Sequence, residues 1–202
     1  MKKLLIAFLA VISISASAQT EGYKVGDVAT DFSLKNIDGK NVSLADYKDA
    51  KGYIVVFTCN TCPYAVAYQD RVLALNKEYA AKGYPVIAIN TNDPVASPGD
   101  SYDKMQVRAK EKGFDFPYLM DPDHVITKRF GASKTPHTFI LQKTATGNVV
   151  EYIGAIDDDT EGTNIGSKYA EMALNSLMSG KKPGTTFTKA VGCTIKWKKA
   201  TL

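Results

Sequence analysis

A strand-like run, a pair of cysteines and a helix-like run follow one another without a break between residues 53 and 82. The run YIVVF at 53–57 is continuously β-prone, as expected for a strand that is covered on both faces. The motif CNTC at 59–62 comes next, and beyond Pro63 the apolar residues recur at intervals of three and four. This order limits the chain to folds in which two cysteines lie between a buried strand and the start of a helix.

Strand and helix patterns alternate through the rest of the chain. Two short strands joined by a turn are predicted within 27–50, which indicates a β-hairpin near the N-terminus. Further strands are predicted over 85–89, 138–141 and 149–153, and helices over 63–82, 101–112, 124–130 and 164–179. No internal repeat or linker interrupts this order, so the pattern predicts one α/β domain.

The N-terminal residues have the composition of a secretory signal peptide. Two lysines precede an apolar run over 4–14, and the small residues ASA at 16–18 have the spacing of a cleavage site. The run is shorter than the roughly 20 residues that span a bilayer. We therefore predict a signal peptide over 1–18, cleaved on export to the periplasm or the exterior, and a folded domain over 19–202. An uncleaved, membrane-anchored form is the alternative.

The charge of the chain argues against nucleic acid as a partner. The formal net charge is +4, and two of the positive charges lie in the predicted signal peptide. Phosphate binding needs a concentrated basic patch, which this composition does not supply. The lysines near the C-terminus are too few to form one, and we interpret that segment as a solvated tail; they are Lys196, Lys198 and Lys199.

The three cysteines, Cys59, Cys62 and Cys193, are an odd number for an exported chain. Exported scaffolds that depend on disulfides are shorter and richer in cysteine. A bridge between residues three positions apart stabilises little, because the gain from loop closure grows with loop length. A zinc site needs a second pair of ligands, and His124 and His137 are not spaced as one. We therefore expect redox chemistry, with no metal and no cofactor.

Cys59 is expected to be the attacking cysteine of the pair. At or just before the N-terminus of the predicted helix, its thiolate would be stabilised by unpaired backbone N–H groups. The thiolate is the form that attacks a disulfide. Cys62, one turn later, would be the less exposed cysteine and would resolve the intermediate.

The chain resembles the thioredoxin superfamily over nearly the whole predicted mature protein. The resemblance rests on CxxC after a strand, on the β-α-β order, and on Thr135-Pro136 just before a strand. The blocks VVFTCN-x-CPY, MDPDHVITKRFGASKTPHTFIL and AVGCTIKWK make it most similar to the exported redoxin (AhpC/TSA-like) group. The resemblance implies a thioredoxin-like α/β fold with a central mixed sheet flanked by helices. It also implies a cis Thr135-Pro136 peptide that binds an extended substrate segment beside the cysteines, where an ordinary trans proline opening a strand is the alternative.

The activity implied by the resemblance is thiol–disulfide exchange on protein or small-molecule thiols, with an unknown electron donor and an undecided direction. A peroxiredoxin-like thiol peroxidase with antioxidant activity is one alternative. Peroxiredoxins carry a proline seven and a threonine three positions before the reactive cysteine, whereas Gly52 and Val56 stand there before Cys59. A non-catalytic copper- or peptide-binding module is the other alternative. Thioredoxins also carry a tryptophan before the motif and an acid on the preceding strand, and Thr58 and the run 53–57 supply neither.

Cys193 has two open interpretations. It is either a small buried residue in a C-terminal strand, or a participant that forms a second disulfide with Cys59 or Cys62.

His137 and the segment after the second buried strand are the other accessory candidates. His137 either faces the sulfurs and raises their thiolate content when protonated, or lies at a strand edge with its ring in solvent, which we favour. Asn92 and Asp93 either fall on the ligand-binding side of the sheet or cap a loop.

Overall fold

The computed structural model describes residues 22–199, so the predicted signal peptide lies outside the described residues. The strands in chain order are β1 (Val28–Ala29), β2 (Ser33–Asn36), β3 (Asn41–Ser43), β4 (Gly52–Thr58), β5 (Val86–Asn90), β6 (Tyr118–Met120), β7 (Lys134–Thr135), β8 (His137–Thr144), β9 (Gly147–Gly154) and β10 (Cys193–Thr194). The α-helices are α1 (Pro63–Tyr79), α2 (Tyr102–Lys112), α3 (Val125–Phe130) and α4 (Tyr169–Met178). Across 22–199, no helix is both long and apolar enough to traverse a bilayer.

The described strands form an eight-stranded mixed sheet in the order β1-β9-β8-β4-β5-β6-β2-β3. The central strand β4 is parallel to β5 and antiparallel to β8, and β5 is in turn parallel to β6. Strands β7 and β10 pair with each other in a separate two-stranded sheet. This is the thioredoxin-like α/β fold implied by the resemblance, and the predicted fold class is confirmed.

The predicted N-terminal hairpin is formed by β2 and β3, which pair antiparallel. The turn between them contains Asp38, whose carboxylate accepts a hydrogen bond from the Lys40 N–H at 3.0 Å. Gly39 has φ +85°, a left-handed conformation that glycine adopts without a steric penalty. Strand β2 also pairs antiparallel with β6, so the hairpin extends the sheet at one edge.

Strand β4 is buried on both faces, which explains its unbroken apolar sequence. Ile54 and Val56 pack in the core beneath α1 and α4, whereas Val55 and Phe57 pack in the core beside α3. Full burial of such side chains contributes about 1.5–3 kcal/mol each. The strand is therefore a fixed support, and its carboxyl end at Thr58 positions the cysteine motif.

Several elements differ from the sequence prediction: β1 and β7 were not predicted, α1 ends at Tyr79 instead of residue 82, and β6 and α4 differ for reasons that the structure shows. Strand β6 was not predicted, because it has only three residues and its pairing with β5 and β2 is distant in sequence. Helix α4 begins at Tyr169 instead of residue 164. Asp159 accepts a hydrogen bond from the Asn164 N–H at 2.6 Å, and Asp158 accepts one from the Gly166 N–H at 3.0 Å. These local bonds hold the preceding residues in a loop in competition with the helix.

Candidate redox site

The cysteine motif connects the end of β4 to the start of α1. Helix α1 begins at Pro63, and Cys62 is its N-cap residue with extended backbone angles. Cys59 was expected at or just before the helix N-terminus, and it precedes the N-cap by three residues, so Cys62 is the cysteine at the helix N-terminus itself. Pro63 accounts for this boundary, since its fixed φ and missing N–H suit the first helical position.

Thr135 contacts both cysteines of the motif. Its hydroxyl oxygen lies 3.4 Å from the Cys59 sulfur, and its carbonyl oxygen lies 3.1 Å from the Cys62 sulfur. The Thr135–Pro136 peptide is cis and is buried beside the two sulfurs. Cys59 and Cys62 are only 5% and 3% exposed, so the site in this conformation is closed to large molecules.

The two thiols share one proton unequally. A hydrogen bond from the Cys59 thiol lowers the pKa of Cys62 to about 4, and the Cys193 thiol and the Ala65 N–H add to this effect. The Thr135 carbonyl favours the protonated form of Cys62, but these donors outweigh it. The same thiol–thiol hydrogen bond, followed by burial, raises the pKa of Cys59. These hydrogen bonds therefore favour a thiolate on Cys62 over one on Cys59.

A buried carboxylate holds the backbone between the cysteines. Asp100 is fully buried, and its Oδ1 accepts hydrogen bonds from the N–H groups of Asn60 and Thr61 at 2.6 and 3.1 Å. Its Oδ2 accepts from the Thr61 hydroxyl at 2.7 Å. The side chains of Asn92 and Ser97 complete the set of donors at 2.8 and 2.6 Å. Sequence reasoning missed Asp100, which lies in a polar loop with no local sign of burial.

The Asn60 side chain and carbonyl are fixed by residues from other elements. The Tyr118 hydroxyl donates to Asn60 Oδ1 at 2.9 Å, and Arg108 Nη2 donates to the Asn60 carbonyl at 2.9 Å. Asn60 Nδ2 donates to the Gly99 carbonyl at 3.0 Å. Together with Asp100, these contacts hold the motif in one conformation around its sulfurs.

Cys193 is placed beside the motif by β10. This strand pairs antiparallel with β7, and Cys193 is opposite Thr135. The Cys193 N–H donates to the Cys62 sulfur at 3.4 Å, and its side chain packs against the motif cysteines. Cys193 itself is half-buried. The structure thus places Cys193 in a C-terminal strand and in contact with Cys62, and its participation stays a prediction.

His137 is buried in the interior strand β8, between β9 and β4. The favoured interpretation of a strand-edge ring in solvent is wrong, because neighbouring strands cover the residue from both sides. Burial lowers the pKa of His137 to about 4, and Nδ1 accepts a hydrogen bond from the Ser133 N–H at 3.4 Å. The ring is therefore neutral at pH 7 and supplies no positive charge to the thiolate.

The burial of His137 predicts an acid-dependent loss of stability. Its pKa is about 4 in the folded protein, against about 6.5 when unfolded, so acid protonates the unfolded chain first. The contribution of His137 to the free energy of unfolding should be constant above about pH 6.5. It should fall by about 3 kcal/mol as the pH decreases to about 4. Urea unfolding of wild type and His137→Phe, at about pH 7 and about pH 4.5, measures this. An equal loss in both proteins would assign the acid sensitivity to another group.

Asn92 and Asp93 bind the C-terminal segment of the chain. Asn92 Oδ1 accepts a hydrogen bond from the Lys196 N–H at 2.9 Å, and the Asp93 N–H donates to the Lys196 carbonyl at 2.8 Å. Asp93 Oδ2 also accepts from the Ala96 N–H at 3.1 Å, which is the loop-capping role considered above. The interpretation of this segment as a solvated tail is therefore wrong for its backbone.

Within 22–199, no group of three or more His, Cys, Asp or Glu side chains is arranged to hold a metal ion.

Comparison with known proteins gives extensive structural matches and several partial sequence matches. A hypothetical protein of Sinorhizobium meliloti 1021 matches with a TM-score of 0.81 and 31% identity, over 89% of this chain and 98% of its own. The thiol-disulfide oxidoreductase ResA of Geobacillus thermodenitrificans is 27% identical over 124 residues, 59% of this chain and 64% of that protein. This chain thus spans less than two thirds of that relative. A putative peroxiredoxin of Mycobacterium tuberculosis is 27% identical over 138 residues, 66% of this chain and 78% of its own.

The profile of the AhpC/TSA family matches residues 25–151, which is more than half of the chain. The matched region runs from before the N-terminal hairpin to within β9 and includes the cysteine motif and the cis Thr135–Pro136 peptide. The chain belongs to the AhpC/TSA family.

Proposed function

We propose that this protein is an exported thiol–disulfide oxidoreductase in which Cys59 and Cys62 form the dithiol/disulfide pair. The observation that carries the proposal is the pair itself, two buried cysteines that pack together and both contact Thr135 of the cis Thr135–Pro136 peptide. The ResA relative and the family membership support an oxidoreductase activity. Export and the division into a signal peptide over 1–18 and a mature domain over 19–202 are part of the proposal.

The first step uses the thiolate that the site stabilises. The Cys62 thiolate attacks one sulfur of a substrate disulfide, forms a mixed disulfide with it, and releases the other substrate sulfur as a thiolate that solvent protonates. The sequence analysis expected Cys59 in this role, on the premise that it lies at the helix N-terminus. Because Cys62 occupies that position and carries the lower pKa, we assign the attack to Cys62.

The second step uses Cys59. The hydrogen bond to the Cys62 thiolate is the largest cause that raises the pKa of Cys59, and it disappears once Cys62 is in a mixed disulfide. Cys59 then loses its proton and attacks the Cys62 sulfur. The Cys59–Cys62 disulfide forms, and the second substrate sulfur leaves and takes up the proton. Two electrons pass to the substrate, and the reverse sequence oxidises a dithiol.

The substrates proposed are protein or small-molecule disulfides and thiols. Thr135 and Pro136 are proposed to shape the surface on which a substrate lies beside the sulfurs. Because both sulfurs are almost fully buried, a protein substrate requires the site to open before the first step.

Thiol peroxidase activity is the second candidate, because the Mycobacterium relative is named a putative peroxiredoxin. Where peroxiredoxins have a proline and a threonine, Val55 and Cys59 stand before Cys62, and Gly52 and Val56 stand before Cys59. These positions count against a peroxidatic pocket of the usual form.

Once the site opens, the reduced mature protein should react faster with a protein disulfide than with hydrogen peroxide, by about a hundredfold or more, because the proline and threonine of a peroxidatic pocket are missing before both cysteines. Stopped-flow fluorescence can follow both reactions, since Trp197 is the only tryptophan and lies four residues beyond Cys193. A Cys59→Ser/Cys62→Ser variant is the control for signals that do not arise from the pair. Faster reaction with peroxide would contradict the proposal and favour the peroxidase.

A further inference from the structure

The backbone edge beside the motif cysteines is occupied by the chain's own C-terminal segment. Strand β10 pairs with β7, so Cys193 and Thr194 are opposite Thr135 and Lys134. Gly192 permits this approach, because a Cβ at that position would lie 2.2 Å from the Thr135 carbonyl oxygen. The segment thus lies along the peptide that the proposed function assigns to substrate binding.

The C-terminal segment is held in place beyond Cys193. Ile195 is 3% exposed and packs in the core beside Phe57 and Phe139. The Lys196 backbone is bound on both sides by Asn92 and Asp93, as described above. The Lys198 N–H donates to His124 Nε2 at 2.9 Å. The position of Cys193 next to the pair is therefore fixed by packing and by backbone hydrogen bonds.

Cys193 combines contact with the pair and access to solvent. It donates its N–H to the Cys62 sulfur at 3.4 Å, and the two thiols share a hydrogen bond. Cys59 and Cys62 are nearly inaccessible, whereas Cys193 is partly exposed. Of these three thiols, Cys193 is the one that an external molecule can reach without opening the site.

We propose that Cys193 is a third redox residue. Its thiol exchanges with the Cys59–Cys62 disulfide, so that one sulfur of the resulting disulfide lies at the protein surface. This inference rests on the proposed function, since it takes the Cys59–Cys62 disulfide as its starting point. The Cys193 thiol loses its proton and attacks the Cys62 sulfur. A Cys62–Cys193 bond forms, the Cys59–Cys62 bond breaks, and the Cys59 sulfur leaves as a thiolate that takes up the proton. The number of disulfides is unchanged.

The exchange would place one sulfur of the disulfide on the partly exposed strand β10. An external thiol could then attack Cys193 without displacing the C-terminal segment. Transfer through Cys193 in this way would reconcile a buried pair with substrates outside the protein. In this scheme the segment 192–198 acts as a substrate within the same chain. It is held on β7 by the backbone pairing that an external strand would use.

Peptide mapping tests the exchange directly, because trypsin separates the relevant cysteines. Cys59 and Cys62 lie together in the peptide 52–71, and Cys193 lies in the peptide 190–196. The mature Cys59→Ser protein, oxidised with diamide and then alkylated, should yield these two peptides joined by a disulfide. In the wild type, the same cross-link should coexist with the disulfide inside 52–71.

A positional control moves the third thiol by one residue. In a Cys59→Ser/Cys193→Ser/Thr194→Cys protein the thiol stands at an exposed position that faces away from Cys62. The cross-linked peptide should be at least about tenfold less abundant than in Cys59→Ser, because a disulfide requires close Cβ atoms. Equal cross-linking in the two proteins, or free Cys62 and Cys193 in oxidised Cys59→Ser, would overturn the proposal.

The Cys193→Ser protein separates this inference from the proposed function. Oxidised with diamide, it should still form the disulfide inside the peptide 52–71. If that disulfide forms while Cys59→Ser gives no cross-link, the inference fails and the proposed function stands. If Cys193→Ser cannot form it, the proposed function fails, whatever Cys193 does.

Discussion

Replacing Cys62 with serine should reduce the rate of reaction with a protein disulfide by about a thousandfold or more, because a hydroxyl does not replace a thiolate nucleophile. Cys62 carries the thiolate, since its pKa is lowered to about 4 by the Cys59 thiol. Serine at position 59 should leave the first attack in place, because the serine hydroxyl can still donate a hydrogen bond to the Cys62 thiolate. The reaction should then stop at the mixed disulfide.

The trapping experiment requires a background without Cys193, which would otherwise resolve the intermediate. Cys59→Ser/Cys193→Ser should accumulate a mixed disulfide with a single-disulfide substrate protein, seen by mass spectrometry of the intact complex. Cys62→Ser/Cys193→Ser should accumulate none. The opposite pattern would restore Cys59 as the attacking cysteine, as the sequence alone suggested. Tight substrate binding without turnover, unchanged in every cysteine variant, would favour a binding module.

The local part of the fold was predictable because its signals are continuous in sequence. The apolar run at 53–57 specifies β4, because a strand buried on two faces is apolar at every position. The helical spacing after Pro63 specifies α1, because a helix buried on one face is apolar at every third or fourth position. The short β6 could not be predicted in this way. It forms because β5 and β2 offer it hydrogen-bonding partners, and these are far away in the chain.

The boundary between strand and helix decides which cysteine carries the thiolate. The sequence did contain the decisive residue, because proline favours the first helical position and Pro63 follows Cys62. The helix predicted over 63–82 already begins at this proline, as the structure has it, so the sequence placed Cys59 before the helix. Cys62 is the N-cap residue, and its pKa is lowered first by the hydrogen bond from the Cys59 thiol, with smaller contributions from Cys193 and the Ala65 N–H of the first helical turn.

The rest of the site depends on contacts across long stretches of chain. Asp100 reaches the motif from a loop 40 residues beyond Asn60, and Cys193 is 131 residues from Cys62. The environment of His137 depends on the strands beside β8, which the local sequence does not specify. Residue type identified Cys193 and His137 as candidates, but only the packing of the sheet shows that one contacts the pair and the other is buried and neutral.

Replacing Asp100 with alanine should lower the free energy of unfolding by about 3–5 kcal/mol, because five donors lose a shared charged acceptor inside the protein. Two of these donors are the backbone N–H groups of Asn60 and Thr61, so the motif should loosen as well. The Asp100 charge also raises the pKa of Cys59. Its removal should therefore lower the pH at which Cys59 becomes reactive toward iodoacetamide, provided that the fold persists.

Two further variants keep this prediction informative if Asp100→Ala does not fold. Asp100→Asn keeps the shape and one acceptor oxygen, but its amide group opposes the donor Asn92 Nδ2, so it should lose about half as much stability as the alanine variant. Asp103→Ala removes an exposed acid three residues further on and should change stability by less than about 0.5 kcal/mol. Urea unfolding gives the three free energies. The prediction is contradicted if Asp100→Asn and Asp103→Ala have the same free energy of unfolding and Cys59 is alkylated at the same pH as in the wild type. The buried carboxylate would then not hold the motif.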